Sequence, residues 1–153
     1  MYDVIVVGGG HAGVEAAIAA ARLNQKTALF TLNINRIATM PCNPSIGGPA
    51  KGIVVREIEA LGGVMGKIAD KTALQFRILN SSKGPGVQCL RVQSDKIEYS
   101  KAMRDAVLNE PGIEVVGKMV ESIVVEDGKV KGIMRKGDEF IAAKSVMLTS
   151  GTY

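Results

Sequence analysis

An apolar run, Asp3-Val4-Ile5-Val6-Val7, stops at Gly8-Gly9-Gly10-His11-Ala12-Gly13, and an alanine-rich stretch from Ala12 to Leu23 begins at once. Few folds accept that order. A short continuous apolar run reads as a buried parallel strand, and the alanine-rich stretch, with no proline and no glycine after Gly13, reads as a helix. A second apolar strand is predicted from Lys26 to Leu32, which completes a strand–turn–helix–strand unit in about 30 residues. The glycines fit G-x-G-x-x-G, with Ala17 four residues further on. Gly8 permits the tight turn, Gly10 lets a pyrophosphate approach the backbone, and Gly13 with Ala17 lets helix and strand pack closely. Free amides and the helix dipole would stabilise the phosphate charge. The plain alternative is a glycine turn without a ligand.

An acidic residue that holds the ribose should stand about 20 residues past the last glycine. The chain has Thr31-Leu32-Asn33 there. This departure weakens a standard NAD reading and leaves FAD open.

The remaining segments divide between shaped loops and strands. Pro41, Pro44 and Pro49 with Gly47, Gly48 and Gly52 predict a long irregular loop over 36–52, and such loops usually serve function. A helix is expected at 51–61, a short strand at 75–79, a loop at 81–86 and a helix at 95–108. Asp95 is its predicted N-cap, with Glu98 three residues on. Strands are expected at 113–116, 120–126, 129–135 and 139–142, with Asp127-Gly128 as a hairpin turn. A separate short buried strand is expected at 145–148, followed by Thr149-Ser150-Gly151. A Rossmann strand and helix, a later meander and a strand ending in a small-residue glycine turn resemble the two-dinucleotide-fold flavoproteins, and the fold this implies is α/β: a Rossmann-like FAD/NAD(P)-binding fold with a parallel sheet and a β-meander insertion.

Chemistry-bearing side chains are few. One histidine and two distant cysteines make no metal constellation and no Ser-His-Asp set, and the absence of C-x-x-C disfavours a thiol–disulfide reductase. The cysteine count suggests a reducing, cytoplasmic setting. No apolar run reaches a membrane span, and the strand pattern starting at Tyr2 predicts no leader peptide. Residues 67–104 carry eight basic and three acidic groups, so a polyanion partner is expected there, against the alternative of ordinary solvated surface. Lys83, Arg91, Lys96, Lys101 and Arg104 are the named candidates. With only Phe76 and Tyr99 interleaved, single-strand stacking is not the expected mode.

Two segments carry a closer resemblance. Met40-Pro41-Cys42-Asn43-Pro44-Ser45-Ile46-Gly47-Gly48-Pro49-Ala50-Lys51-Gly52 resembles the signature of the GidA/MnmG family, as does Leu79-Asn80-Ser81-Ser82-Lys83-Gly84-Pro85-Gly86-Val87 followed by Arg91-x-Gln93-x-Asp95. Thr31-Leu32-Asn33 is similar to that family too. The resemblance covers essentially the whole chain. It implies an FAD enzyme that adds a carboxymethylaminomethyl or aminomethyl group to C5 of the tRNA wobble uridine. NADH and methylenetetrahydrofolate are the implied co-substrates, and a MnmE-type GTPase and a homodimer the implied partners.

It further implies that Gly8, Gly9, Gly10, His11, Ala12 and Gly13 hold the FAD pyrophosphate, with Asn33 in the cofactor site. Val120 would meet the adenine through its backbone, and Thr149 and Gly151 would close over the ADP moiety. Cys42, Asn43, Ser45, Gly47, Gly48 and Lys51 would lie near the flavin. Cys42 is the catalytic candidate, because a thiolate adding at uridine C6 activates C5; the alternative is an inert thiol. Cys89 is expected to be a core thiol. The family's second cysteine motif and later domains have no counterpart here. Residues 1–153 are therefore expected to be a single FAD-binding domain, the front piece of a longer enzyme, incomplete in catalysis when alone. The rival readings are a folate- and FAD-dependent tRNA uridine methyltransferase and a dinucleotide-binding module without chemistry.

Overall fold

A computed structural model of the chain describes residues 1–41 and 43–151. Its contacts separate two compact units, Met1–Ala38 with the stretch from Arg104 onward, and Thr39–Met103.

The first unit contains β1 (Tyr2–Val7), α1 (His11–Arg22) and β2 (Thr27–Thr31), as the opening pattern dictates. Parallel pairing of β1 with β2 runs from Val4 opposite Thr27 to Val7 opposite Phe30. Val14, Ala17 and Ile18 of α1 are buried, and the helix packs on β1 and β2. Burying Val14 and Ile18 contributes about 1.5–3 kcal/mol each, while Ala17 keeps the helix close. After β6 (Ile113–Gly117), the chain forms β7 (Val120–Glu126), β8 (Lys129–Arg135) and β9 (Glu139–Leu148). The six strands form one sheet in the order β6-β2-β1-β9-β8-β7.

The predicted third meander strand and the predicted final strand are one continuous element, β9. Its first half pairs antiparallel with β8 and its second half parallel with β1. The final strand is also not buried as its apolar sequence suggests, for Met147 and Leu148 are 47% and 63% exposed. The other half of the apolar surface is used: Val120, Ile133 and Ile141 of the meander pack with Ile5, Ala28 and Phe30.

The second unit is built on β3 (Ser45–Gly47), β4 (Ala73–Leu79) and β5 (Cys89–Ser94), with strand order β3-β5-β4 and all pairs antiparallel. Helices α2 (Lys51–Ala60) and α3 (Met65–Lys71) pack on this sheet. The predicted irregular loop over 36–52 thus contains a strand. Ile46, buried at its centre, and ladder bonds to β5 hold it straight despite the flanking prolines. Helix α3 and strand β5 have no counterpart in the sequence prediction. α3 is seven residues with an internal glycine, and the alternation of β5 is short and lies against a glycine-rich loop. Helix α4 (Lys96–Asn109) starts as predicted: Asp95 Oδ1 accepts from the amides of Ile97 and Glu98, both at 2.9 Å.

Candidate dinucleotide site and a second glycine turn

The four parallel strands of the first unit end on one edge. There β1 leads to Gly8, β2 to Leu32 and Asn33, β9 to Thr149, and β6 to Lys118 and then Val120. The sheet order changes direction at β1, between β2 and β9. The crevice beyond the carboxyl ends of strands at such a switch point is where open α/β sheets bind ligands.

The glycine turn at this edge is built by its own chain, with one exception. Gly8 has φ +117°, and a Cβ there would lie 2.2 Å from the Thr149 carbonyl oxygen. A Cβ on Gly13 would lie 1.8 Å from the Gly8 carbonyl oxygen, and one on Gly9 2.7 Å from Thr31 Oγ1. Gly10 differs. Nothing lies within 4 Å of its Cβ position, and its φ of −75° suits any residue. Among the described residues, no packing requires glycine there.

Gly10 is also the N-cap of α1, which has no side-chain cap and no acidic residue in its first turn. The first helical bond runs from the Val14 amide to the Gly10 carbonyl at 3.0 Å. Polar backbone and open space therefore coincide at the positive end of the helix dipole. These residues fit the diphosphate of a dinucleotide such as FAD. His11 is half-buried at the helix start, and Ala12 is exposed beside it.

Thr149 braces the turn. Its amide donates to the Val7 carbonyl at 2.8 Å, and its hydroxyl lies 3.0 Å from the same oxygen and 3.1 Å from the Gly8 carbonyl. Gly151, at φ +85°, has open space at its Cβ position. Asn33 Oδ1 accepts from the Asn35 amide at 2.9 Å and caps a short 3-10 turn, Ile34–Arg36. Val120 begins edge strand β7, its side chain in the Ile5–Phe30 cluster.

A second glycine turn, Gly47-Gly48, joins β3 to α2 in the second unit. Gly47 has φ +115° and passes so close to β5 that a Cβ would lie 2.2 Å from the Leu90 carbonyl oxygen. Gly48 donates to that oxygen at 3.0 Å and is otherwise open. Both glycines line a cavity of about 680 Å³ walled by Ile46, Val55, Ile78 and Leu90, with Arg56, Glu59 and Asp70 as its charged residues. Cys89, expected in the core, is half-buried in the wall of this cavity. Asn43 is exposed, Ser45 pairs with Gln93 on β5, and Lys51 is the exposed first residue of α2. Cys42 lies outside the described residues.

The basic candidates are carried by three elements. Lys83 occupies the loop between β4 and β5, Arg91 is on β5, and Lys96 and Lys101 are on α4. Arg104, also on α4, falls in the first unit and approaches Asp105 at 4.0 Å. Arg77, one of the eight basic groups of 67–104 but not among the named candidates, stands directly across the ladder from Arg91. Only the strand register, a long-range property, reveals that pair.

The sequence profile of the family described as "Glucose inhibited division protein A" matches residues 3–153. The chain belongs to the GidA family. It is 61% identical over 153 residues to the tRNA uridine 5-carboxymethylaminomethyl modification enzyme MnmG of Mycoplasma capricolum, covering 99% of this chain and 24% of that protein. Identity to the MnmG of Bacillus subtilis is 53% over 152 residues, with the same coverage. The crystal structure of Aquifex aeolicus GidA matches with a TM-score of 0.95 and 48% identity, over 99% of this chain and 25% of that one. A Pseudomonas aeruginosa protein described as a probable FAD-dependent monooxygenase shares the fold at TM-score 0.63 and 15% identity, over 95% of this chain and 41% of that one. The chain thus spans about a quarter of the length of the curated relatives it matches. Among the described residues no helix is long and apolar enough to cross a membrane.

Proposed function

We propose that this chain is the FAD-binding part of a tRNA-modifying flavoenzyme, one that adds a carboxymethylaminomethyl or aminomethyl group to C5 of the wobble uridine. Family membership supports the reaction class. The open Cβ position of Gly10 carries the cofactor assignment, since among the described residues it is the one fingerprint glycine that packing does not demand.

In this reading the turn from Gly8 to Gly13, with Ala12 and His11 at the helix head, binds the FAD diphosphate. Asn33 and the Val120 backbone flank the adenosine. Thr149 positions the turn, and Gly151 allows the chain to close over the ADP half. FAD supplies the redox and one-carbon transfer chemistry, with NADH as reductant and methylenetetrahydrofolate as carbon source. The second glycine turn, with Asn43, Ser45, Gly47, Gly48 and Lys51, serves the flavin end.

Cys42 acts on the nucleobase. Its thiolate forms a bond to uridine C6, and the electron pair of the C5–C6 double bond moves onto the C4 carbonyl, making C5 nucleophilic. Once C5 carries its new substituent, loss of the C5 proton expels the thiolate and restores the double bond. Lys51 would favour the thiolate by its positive charge. Residues 1–153 act as one FAD-binding domain of a cytoplasmic, homodimeric enzyme that works with a MnmE-type GTPase on tRNA. Titration of the chain and its Gly10→Val variant with FAD and ADP tests the cofactor site: saturable binding lost in the variant supports it, and equal affinity contradicts it.

A further inference from the structure

The outer rows of the second unit's sheet are read from its register. One row is Ser45, Gln93 and Gln75, and the next is Gly47, Arg91 and Arg77. Directly paired residues project to the same face of an antiparallel ladder, so both guanidinium groups share one face with two primary amides and a hydroxyl. Gln75, Arg77, Arg91 and Gln93, with Leu79, line a shallow dimple of about 90 Å³. Among the described residues no carboxylate lies within 4.0 Å of either arginine. Gly47, beside Arg91 on β3, contributes no side chain that would cover it.

Like charges directly opposed on adjacent strands destabilise a ladder. An arrangement that places them together, ringed by hydrogen-bond donors and without a counter-charge, suits an anion. Guanidinium forks match the paired oxygens of a phosphate. Arg91 is half-buried and Arg77 exposed, so the site is shallow and open, which suits a phosphodiester on an extended polymer. We infer that Arg77 and Arg91, with Gln75 and Gln93, form a backbone-phosphate site for RNA. The inference rests on the tRNA-directed reading above and names one of its contacts.

The test is binding of an anticodon stem-loop RNA to the purified chain, followed by fluorescence anisotropy across a salt series. The variants are Arg77→Gln, Arg91→Gln, the double variant, Arg77→Lys, and Lys129→Gln as an exposed control on β8 of the first unit. Each glutamine should weaken binding alike for unrelated stem-loop sequences and lower the slope of log affinity against log salt by about 1. Arg77→Lys should keep the slope and lose part of the affinity, and Lys129→Gln should behave as wild type. Melting temperature at low salt should hold or rise in the double variant, because the opposed charges are gone; a structural role would lower it.

Wild-type RNA affinity and slope in the double variant would overturn the site and leave the tRNA reading standing. Absence of RNA binding by the wild-type chain would overturn both for this chain. Loss of FAD affinity with RNA binding intact would assign the arginines to the cofactor and overturn the RNA site.

Discussion

The hydroxyl of Thr149 lies 3.1 Å from the carbonyl oxygen of Gly8, so the last strand of the sheet braces the turn that follows the first. One hydroxyl proton serves two carbonyls here, those of Val7 and Gly8. Thr149→Val keeps the shape and removes the donor. It should cost about 1 kcal/mol of stability and weaken FAD and ADP binding by loosening the turn, while Thr149→Ser should restore both. Urea denaturation and nucleotide titration of the two variants measure this.

Gly10 and Gly13 should separate binding from folding. Gly10→Val meets no neighbour, and its cost should stay near 1 kcal/mol, that of an altered N-cap. Its nucleotide affinity should fall roughly 10-fold or more, because blocking even one hydrogen bond to a charged phosphate loses about 1.5–3 kcal/mol. Gly13→Ala drives a Cβ into the Gly8 carbonyl oxygen and should destabilise the fold itself, by about 1–3 kcal/mol or more. Thermal melts set beside calorimetric affinities distinguish the two.

Much of this edge is legible in sequence. The run from Asp3 to Gly13 encodes strand, turn and helix locally, and Asp95 with Glu98 marks the start of α4 because capping is a local event. What sequence hides is long-range. The β3 strand at Ser45–Gly47 exists because β5 pairs with it, and its prolines and glycines mask it. The continuity of β9 was hidden because its two halves have different partners. The Arg77–Arg91 pair follows from register alone. Gly10 could be named from its motif, yet only the empty space around its Cβ position separates it from its neighbours.

Asp95 offers a stability test away from the candidate site. Its carboxylate satisfies two amides at the head of α4, so Asp95→Ala should cost about 1 kcal/mol and Asp95→Asn less. Nucleotide affinity should not change, which isothermal titration checks.

Tyr2 should titrate late. Its hydroxyl donates to Glu114 Oε2, and that bond, with smaller contributions from burial and the Glu114 charge, pushes the phenol from 10.0 up to about 12. A phenol raised on folding stabilises the fold fully below its unfolded value and loses that contribution as pH climbs from about 10 towards about 12. A spectrophotometric phenolate titration of the wild type set against Tyr2→Phe should show Tyr2 ionising late. Tyr2→Phe should remove that step, together with the part of the high-pH loss of stability that Tyr2 contributes.

Cys42 is tested by chemistry. In protein competent for tRNA modification, Cys42→Ser should reduce turnover by roughly 100-fold or more, the scale of a lost nucleophile, while bound FAD stays near the wild-type level. Wild-type turnover would reduce Cys42 to a structural thiol. Product analysis by mass spectrometry also separates a carboxymethylaminomethyl uridine from a methylated one.

The central claim is that the Gly8–Gly13 turn holds the ADP half of FAD. The most direct measurement titrates the purified 153-residue chain with FAD, ADP and NADH, reading flavin fluorescence and calorimetric heat. The account predicts saturable FAD binding that ADP displaces, with NADH weaker. Preference for NADH, or FAD binding that ADP cannot displace, would contradict it.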